Sequence, residues 1–193
     1  QAHFNLTIAD VFELRNSRSI AMLPPATTVS SIPAAEAREY YPVSYAQERI
    51  FVANQISDNG ILYNTPIKLV IHGALDREKL GESLDALFAR HQSLRTRFTL
   101  IDGQVVQQVC SNPSYKKEFQ KCSLNEVREL DFINSFNLSN DTLFRVLLVK
   151  VSNQEHYLFI DTHHIVFDGI SIPILIKDLS KLYADIALEP LPI

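Results

Sequence analysis

The stretch HHIVFDG, residues 163–169, decides the fold. It follows the short apolar run YLFI, residues 157–160, and precedes a segment in which Leu175, Leu179 and Leu182 recur at helical spacing. This order predicts a buried strand, a tight turn and then a helix. Two imidazoles at the end of a buried strand can present one side chain to a cavity. The simpler alternative is a core histidine whose ring nitrogens bind backbone groups.

Other apolar runs predict the sheet that this strand joins. Residues 143–149 and 157–162 are nearly apolar on both faces, which is typical of central strands covered by helices. Residues 67–72 alternate between apolar and polar types, as in a half-buried strand. Asp102-Gly103 predicts a two-residue hairpin turn between residues 94–100 and 104–109. We therefore expect an α/β fold, a mixed sheet with packed helices.

Capping residues mark where the helices begin. Ser44 and Asp76 each precede a segment with apolar residues on one face, and both residue types are favoured N-caps. Ser123 begins a capping-box pattern, and the apolar spacing predicts that its helix continues through Phe136. Ser171 is predicted to cap the last helix.

Composition and charge exclude several classes of protein. The 193 residues are 46% hydrophobic and 21% charged, as in an ordinary globular protein, and the net charge of -4 gives no basic field for nucleic acid. No apolar run approaches the ~20 residues that a membrane-spanning helix needs, and no signal-peptide pattern is present. We expect a cytoplasmic protein that binds neither nucleic acid nor membrane.

Two cysteines and a polar stretch carry no predicted chemistry. Cys110 and Cys122 are expected to be free thiols, because the chain shows no export signal. No metal-binding pattern and no glycine-rich phosphate loop are found. The polar residues 111–122, which include Lys116 and Lys117, are predicted to form a solvated loop.

Three segments together resemble a known family. HHIVFDG resembles the HHxxxDG signature of the chloramphenicol acetyltransferase-like superfamily, which includes the condensation domains of nonribosomal peptide synthetases. Residues 44–51, SYAQERIF, and residues 90–98, RHQSLRTRF, resemble the first two condensation-domain motifs, in the family's order and at about its spacing. Gln92 stands where the family usually has glutamate, which puts one side-chain hydrogen bond in doubt.

The resemblance implies a division of the chain. Residues 40–193 are similar to the amino-terminal lobe of a condensation domain, a chloramphenicol acetyltransferase-like half domain whose catalytic channel lies against a second lobe absent here. Residues 1–23 resemble the carboxy-terminal remnant of a peptidyl carrier protein, and the start at Gln1 indicates a fragment. The alternative for 1–23 is a leader that packs on the main domain. Residues 24–39, rich in Pro, Thr, Ser and Ala, have the composition of a linker.

The reaction that the resemblance implies is peptide bond formation. By the motif, His164 accepts a proton from the attacking amine or binds it, and His163 orients the turn. Asp168 is expected to be buried and paired with Arg95, since an unpaired buried carboxylate would take up a proton. Gly169 is expected to let the backbone turn and approach the substrate.

The remaining residues of the three motifs are expected to support the site. Arg90 belongs to the second motif and is assigned a structural role beside Arg95. Ser44, Gln47 and Arg49 are expected to border the substrate channel. The family binds no cofactor directly: donor and acceptor carrier proteins present their substrates on 4'-phosphopantetheine arms, and an adenylation domain is an adjacent partner.

Three rival functions share part of the pattern. An acyl-CoA-dependent acyltransferase and an epimerisation domain both carry HHxxxDG, but neither accounts for the first motif as it stands here. The third rival is a non-catalytic docking module that only recruits carriers, against which the intact His164 and Asp168 argue. The sequence leaves open which amino acids are joined, which peptide is made and the oligomeric state. The isolated lobe is expected to be inactive.

Overall fold

The protein is described from a computed structural model that covers residues 35–57, 60–111, 113–128 and 130–191. The chain divides into two compact units, Ala37–Glu189 and a smaller unit of Gln1–Glu36 with Pro190–Ile193. The fold and the candidate site belong to the larger unit. The predicted carrier remnant, residues 1–23, lies outside the described residues, as does most of the predicted linker. Within the described ranges, no helix has the length and apolar character needed to cross a membrane.

The larger unit contains seven strands and four α-helices in its described part. The strands are β1 (Tyr41–Pro42), β2 (Asn64–His72), β3 (Thr96–Ile101), β4 (Gln104–Val109), β5 (Lys116–Lys121), β6 (Phe144–Lys150) and β7 (Glu155–His163). The helices are α1 (Tyr45–Ile56), α2 (Arg77–Arg90), α3 (Leu124–Arg128) and α4 (Ser171–Tyr183), and a 3₁₀ turn spans Gln92–Arg95.

The larger sheet is mixed, as predicted. Its strand order is β2-β7-β6-β5, with β5 and β6 parallel and the other pairs antiparallel. The two nearly apolar strands, β6 and β7, are central, which confirms that prediction. Helices α2 and α4 pack on one face of this sheet, where Leu84, Leu148 and Ile160 belong to the main core cluster.

A second sheet, of three strands in the order β1-β4-β3, contains the predicted hairpin. Asp102 and Gly103 have φ of 50° and 77°, so both lie in the left-handed region that a tight two-residue turn of this kind requires. Cys110 follows β4, and both cysteines are free thiols.

Residues 116–121 form a strand rather than the predicted solvated loop. The sequence KKEFQK has no apolar alternation, and its strand conformation comes from pairing with β6 along the edge of the sheet. Lys117 is half-buried there, and its Nζ lies 2.7 Å from the Asp85 carboxylate on α2. The edge strand therefore depends on a neighbour distant in sequence, which local patterning does not reveal.

Helix α3 is much shorter than predicted. The Ser123 and Glu126 contacts of the capping box form, but the helix ends at Arg128 rather than near Phe136. Val127 packs with Leu147 and Val149 on one side of the large sheet, whereas Phe136 lies in a separate cluster. Because the periodic apolar residues are buried in two different places, a single straight helix could not satisfy both.

Candidate active site at the histidine turn

His164 is the exposed member of the histidine pair. Strand β7 ends at His163, and the His164 amide then donates to the Tyr63 carbonyl at 2.7 Å. The ring Nδ1 lies 2.8 Å from the Phe167 carbonyl oxygen. A carbonyl can only accept, so Nδ1 carries the hydrogen and Nε2 of the neutral ring keeps its lone pair. The turn thus fixes the tautomer that can accept a proton at Nε2.

His163, by contrast, is fully buried. Its Nδ1 accepts from the Ile165 amide at 3.2 Å, which leaves the hydrogen on Nε2 to be donated to Asn54 Oδ1 at 3.3 Å. Burial first, and then the charge of His164, lower the pKa of His163 to about 4. His163 is therefore a neutral ring that holds the turn. The sequence allowed two interpretations, a side chain presented to a cavity and a core histidine. His164 fits the first and His163 fits the second.

A groove of about 760 Å³ adjoins His164. Helix α1 forms most of its wall, and the lining is mainly apolar, with Tyr45, Ile56 and Tyr63 among its members. Arg49, which was expected to border the substrate channel, lines this groove. That the groove is the substrate channel stays a prediction. The helix that carries these residues starts at Ser44, through a capping box.

The other two predicted channel residues, Ser44 and Gln47, form hydrogen bonds that stabilise the start of α1. Ser44 accepts from the Gln47 amide as the N-cap of α1 and is not among the lining residues. Gln47 completes the capping box and also donates from Nε2 to the Ile165 carbonyl at 3.3 Å. Gln47 therefore ties the first turn of α1 directly to the histidine turn.

The predicted Asp168–Arg95 ion pair is wrong. Asp168 is exposed, and its Oδ1 accepts from the Ser171 amide at 2.9 Å and the Ser171 hydroxyl at 2.7 Å. These hydrogen bonds, the side-chain one first, lower the pKa of Asp168. An exposed carboxylate needs no ionic partner. Ser171, predicted as the cap of α4, is instead its first residue and donates to Asp168.

Arg95 binds elsewhere. It ends the 3₁₀ turn, and its Nη1 donates to the Cys110 carbonyl at 2.9 Å, so it joins that turn to the end of β4. Its Nε is buried and has no hydrogen-bond partner within the described part of the chain. Arg95 thus supports the hairpin sheet rather than the histidine turn.

Arg90, to which the second motif assigned a structural role, contacts a partner that the sequence did not identify. Arg90 Nε and His91 Nε2 both lie 3.0 Å from Oδ2 of Asp178 on α4, whose side chain is only 9% exposed. Arg90 also donates to the Glu189 carbonyl at 2.6 Å. The second motif is therefore joined to the helix that follows the histidine turn. The available signal was a carboxylate lying between the apolar residues Leu175 and Leu179.

A second buried carboxylate, Asp161, lies two residues before His163. Its Oδ2 accepts from Asn64 Nδ2 at 2.7 Å and lies 3.6 Å from Nε of Arg145. Burial, which outweighs both contacts, raises the pKa of Asp161 to about 6. Arg145 in turn stacks on the Phe136 ring at 3.6 Å. The signal in the sequence was an acidic residue directly after the apolar run of residues 157–160.

Gly169 is not required by the backbone of this chain. Its φ lies outside the left-handed region, and an added Cβ would meet no atom within 4 Å. The turn therefore does not depend on the conformational freedom of glycine, whereas the expected close approach of the backbone to the substrate stays a prediction. The space beside the backbone of Gly169 is open.

Comparison with solved structures identifies the fold. The X-domain in a complex with OxyB from teicoplanin biosynthesis matches with a TM-score of 0.75 at 24% identity, over 87% of this chain and 39% of that one. The starter condensation domain of the rhizomide synthetase matches with a TM-score of 0.69 at 22% identity, over 75% and 37%. These likenesses establish the fold.

The condensation-domain family model matches residues 37–191, and the chain belongs to this family. Bacitracin synthase 2 of Bacillus licheniformis is 41% identical over 167 residues, 85% of this chain and 6% of that protein. Surfactin synthase subunit 1 of Bacillus subtilis (strain 168) is 36% identical over 193 residues, 97% of this chain and 5% of that protein. The chain therefore spans only a small part of the length of these relatives.

Proposed function

We propose that this chain is the amino-terminal lobe of a condensation domain and that, together with a second lobe, it forms a peptide bond between two carrier-bound thioesters. The observation that carries the proposal is the state of His164. Its Nδ1–H is held by the Phe167 carbonyl at 2.8 Å, which leaves the lone pair on Nε2, and the ring adjoins a groove. Family membership supports the same assignment.

In the proposed reaction, the α-amine of the acceptor attacks the thioester carbonyl carbon of the donor. A C–N bond forms, the nitrogen gives a proton to Nε2 of His164, and the adduct collapses with loss of the thiolate, which then takes that proton. A free α-amine has a pKa of ~7.7–8.0 and a thiol one of ~8.5, so neither group needs strong assistance near neutral pH. Positioning therefore supplies much of the rate, and His164 adds general-base catalysis.

The groove fits substrates of this kind. Its lining is mainly apolar, which suits an extended acyl chain on a pantetheine arm, and Glu48, Arg49 and His164 supply charged and polar groups. In this proposal the 4'-phosphopantetheine arms belong to the donor and acceptor carrier proteins and enter as parts of the substrates. The adenylation domain that loads the acceptor carrier is the remaining partner.

A second lobe is proposed because α1 leaves large apolar side chains exposed beside the groove. Tyr45 is 87% exposed and Ile56 is 76% exposed, and both line the groove. Exposed apolar groups of this size indicate a surface that another part of a protein covers. The isolated 193 residues should therefore show no turnover with loaded carriers, and measurable peptide formation by them would disprove the two-lobe proposal.

The experiment that tests the function compares His164→Ala with His72→Ala in a complete domain that includes both lobes. His72 is an exposed residue at the end of β2 and serves as the matched control. Loss of a general base lowers the rate by about 10²- to 10⁴-fold, and we expect the lower end, because the thioester is already activated. Peptide formation is measured from loaded carriers. A folded His164→Ala domain with full activity would contradict the catalytic role.

The pH dependence separates two roles for His164. If the ring deprotonates the incoming ammonium, the defect of His164→Ala should shrink as the pH rises through the pKa of the amine. A defect that stays constant with pH indicates that the ring positions the amine or stabilises the adduct.

A non-catalytic docking module is the second candidate. It is favoured by the X-domain match, whose structure holds that domain in a complex with OxyB and covers more of this chain than the starter condensation domain does. Retention of carrier binding without any turnover in the complete domain would support docking. Hydrolysis or transfer from an acyl-CoA, or inversion of a carrier-bound residue, would instead support the acyltransferase or epimerisation alternatives.

A further inference from the structure

Three basic residues form a row across the large sheet, at the end remote from the histidine turn. Lys121 of β5 is paired with Lys150 of β6, and Lys150 is paired with His156 of β7. Directly paired residues point to the same face, with neighbouring Cβ atoms about 4.5–5.5 Å apart. This is the face that carries α2, because the next residues along the same side of β6 and β7, Leu148 and Leu158, belong to the core beneath that helix.

The row borders a cavity of about 410 Å³. Arg77, the first residue of α2, adds a fourth basic group, and Leu75, Phe119 and Leu148 supply an apolar wall. Among the described residues, no acidic side chain lines this cavity. Strand β7 separates His156 from His163 by seven residues, or about 23 Å at ~3.3 Å per residue, so the cavity is distinct from the groove beside His164.

These cations lack the carboxylate partners that neighbouring cations have, although the Arg77 guanidinium lies over the Phe119 ring, 5.2 Å from its centroid. On the same strand β5, Lys116 pairs with Glu118 at 2.8 Å and Lys117 with Asp85 at 2.7 Å. Over the described ranges of the chain, Lys121, Lys150 and Arg77 form no ion pair with a carboxylate. Like charges placed directly opposite on neighbouring strands are destabilising.

His156 adds an unsatisfied polar atom to the same place. The residue is only 5% exposed, and its Nδ1 has no hydrogen-bond partner among the residues that the structure describes. Burial first, and then the charge of Lys150, lower the pKa of His156. The cavity therefore brings cationic side chains without a carboxylate partner next to a buried imidazole, an arrangement that a bound anion would stabilise.

We propose that this cavity binds the phosphate group of a small organic phosphate monoester. A guanidinium, two ammonium groups and an imidazole together offer the donors that a dianionic phosphate accepts. The apolar wall of Phe119, Leu148 and Leu75 suits an organic substituent on that phosphate. The site is independent of the peptide-forming reaction, because it uses other residues at the opposite end of β7.

The test is a titration of the 193-residue chain with phenyl phosphate by calorimetry, with inorganic phosphate, benzoate and phenol titrated in parallel. Phenyl phosphate should bind with 1:1 stoichiometry and more tightly than inorganic phosphate, and phenol should not bind. Lys150→Gln should weaken phenyl phosphate binding about tenfold or more, the loss expected for one hydrogen bond to a charged group. Lys116→Gln removes the same charge from the opposite face of β5 and should leave the affinity unchanged.

A local readout uses the imidazole of His156, followed by NMR. The cations facing this ring are Lys150 on β6, Lys121 on β5 and Arg77 on α2. Bound phosphate should offset their charge and raise the pKa of His156, and Lys150→Gln should reduce that change. Absence of phenyl phosphate binding, equal binding of benzoate, or equal losses in Lys150→Gln and Lys116→Gln would each overturn the proposal.

Discussion

Asp178 should be the carboxylate on which the stability of the histidine region depends, a role that the sequence alone assigned to Asp168. Asp178→Ala removes the shared acceptor of Arg90 Nε and His91 Nε2, both at 3.0 Å. It therefore breaks the connection between α2 and α4 on the sheet face that carries the main core.

The size of the effect follows from burial. The side chains of Arg90, His91 and Asp178 are 20%, 16% and 9% exposed, so removing the anion leaves a cation that water reaches only in part. A fully buried pair broken on one side costs about 3–5 kcal/mol, and a hydrogen bond to a charged group contributes about 1.5–3 kcal/mol. Since Arg90 keeps its bond to the Glu189 carbonyl, we expect a loss of about 2–4 kcal/mol for Asp178→Ala.

The assay is thermal and urea unfolding of the 193-residue chain, with Asp168→Asn as the control. At about 2–4 °C per kcal/mol, Asp178→Ala should lower the Tm by on the order of 10 °C. Asp168→Asn should leave the midpoint almost unchanged, because the Asn Oδ1 can still accept from the Ser171 amide and hydroxyl at the exposed turn. Equal losses in the two variants, or an unchanged midpoint in Asp178→Ala, would refute the reasoning.

Three further predictions concern pH, the glycine of the motif and the link to α1. The pKa of His163 falls from 6.5 to about 4 on folding, so its contribution to stability is lost as the pH falls through that window. The pKa of Asp161 instead rises from 3.8 to about 6 on folding, so its contribution to stability is lost as the pH rises through that window. These two contributions nearly offset each other in the unmutated protein. Asp161→Asn should therefore make the free energy of unfolding, measured in urea, fall more steeply on acidification from pH 6.5 to 4. An unaltered pH profile would count against the buried carboxylate. Gly169→Ala should leave stability unchanged or raise it by about 0.4–1 kcal/mol, since the backbone and the space both allow a methyl group, and a lower midpoint would disprove this. Gln47→Ala should lower stability by about 1 kcal/mol through loss of the Ile165 contact and half of the capping box, while Gln55→Ala, an exposed change on the same helix, should have little effect.

Local sequence patterns predicted an element correctly wherever the interactions that determine it join residues close together in the sequence. The caps at Ser44 and Asp76 form between residues two or three positions apart. The Asp102-Gly103 turn needs only two residues that tolerate a positive φ. The buried character of β6 and β7 follows from their own composition. For these elements the physical cause is contained in a few consecutive residues, so the sequence predicts them correctly.

The sequence also determined, through its three motifs, which family the chain belongs to, and the family match confirms it. It identified the histidine pair as the centre of the candidate site but could not assign a different state to each ring. That assignment depends on which ring is enclosed by Asn54 and the Ile165 amide and which adjoins the groove of α1. The distinction is a matter of burial, which involves elements more than a hundred positions apart.

Only the tertiary structure decided which charges are paired. A carboxylate requires an ionic or hydrogen-bonding partner only where folding removes it from water. Asp168 remains exposed to water, whereas Asp178 and Asp161 are buried. For the same reason the sequence did not predict two other features. The edge strand Lys116–Lys121 is specified by its pairing with β6. The early end of α3 at Arg128 is specified by apolar side chains that are buried in separate clusters. In each case the interaction that decides the outcome joins residues that only folding brings together.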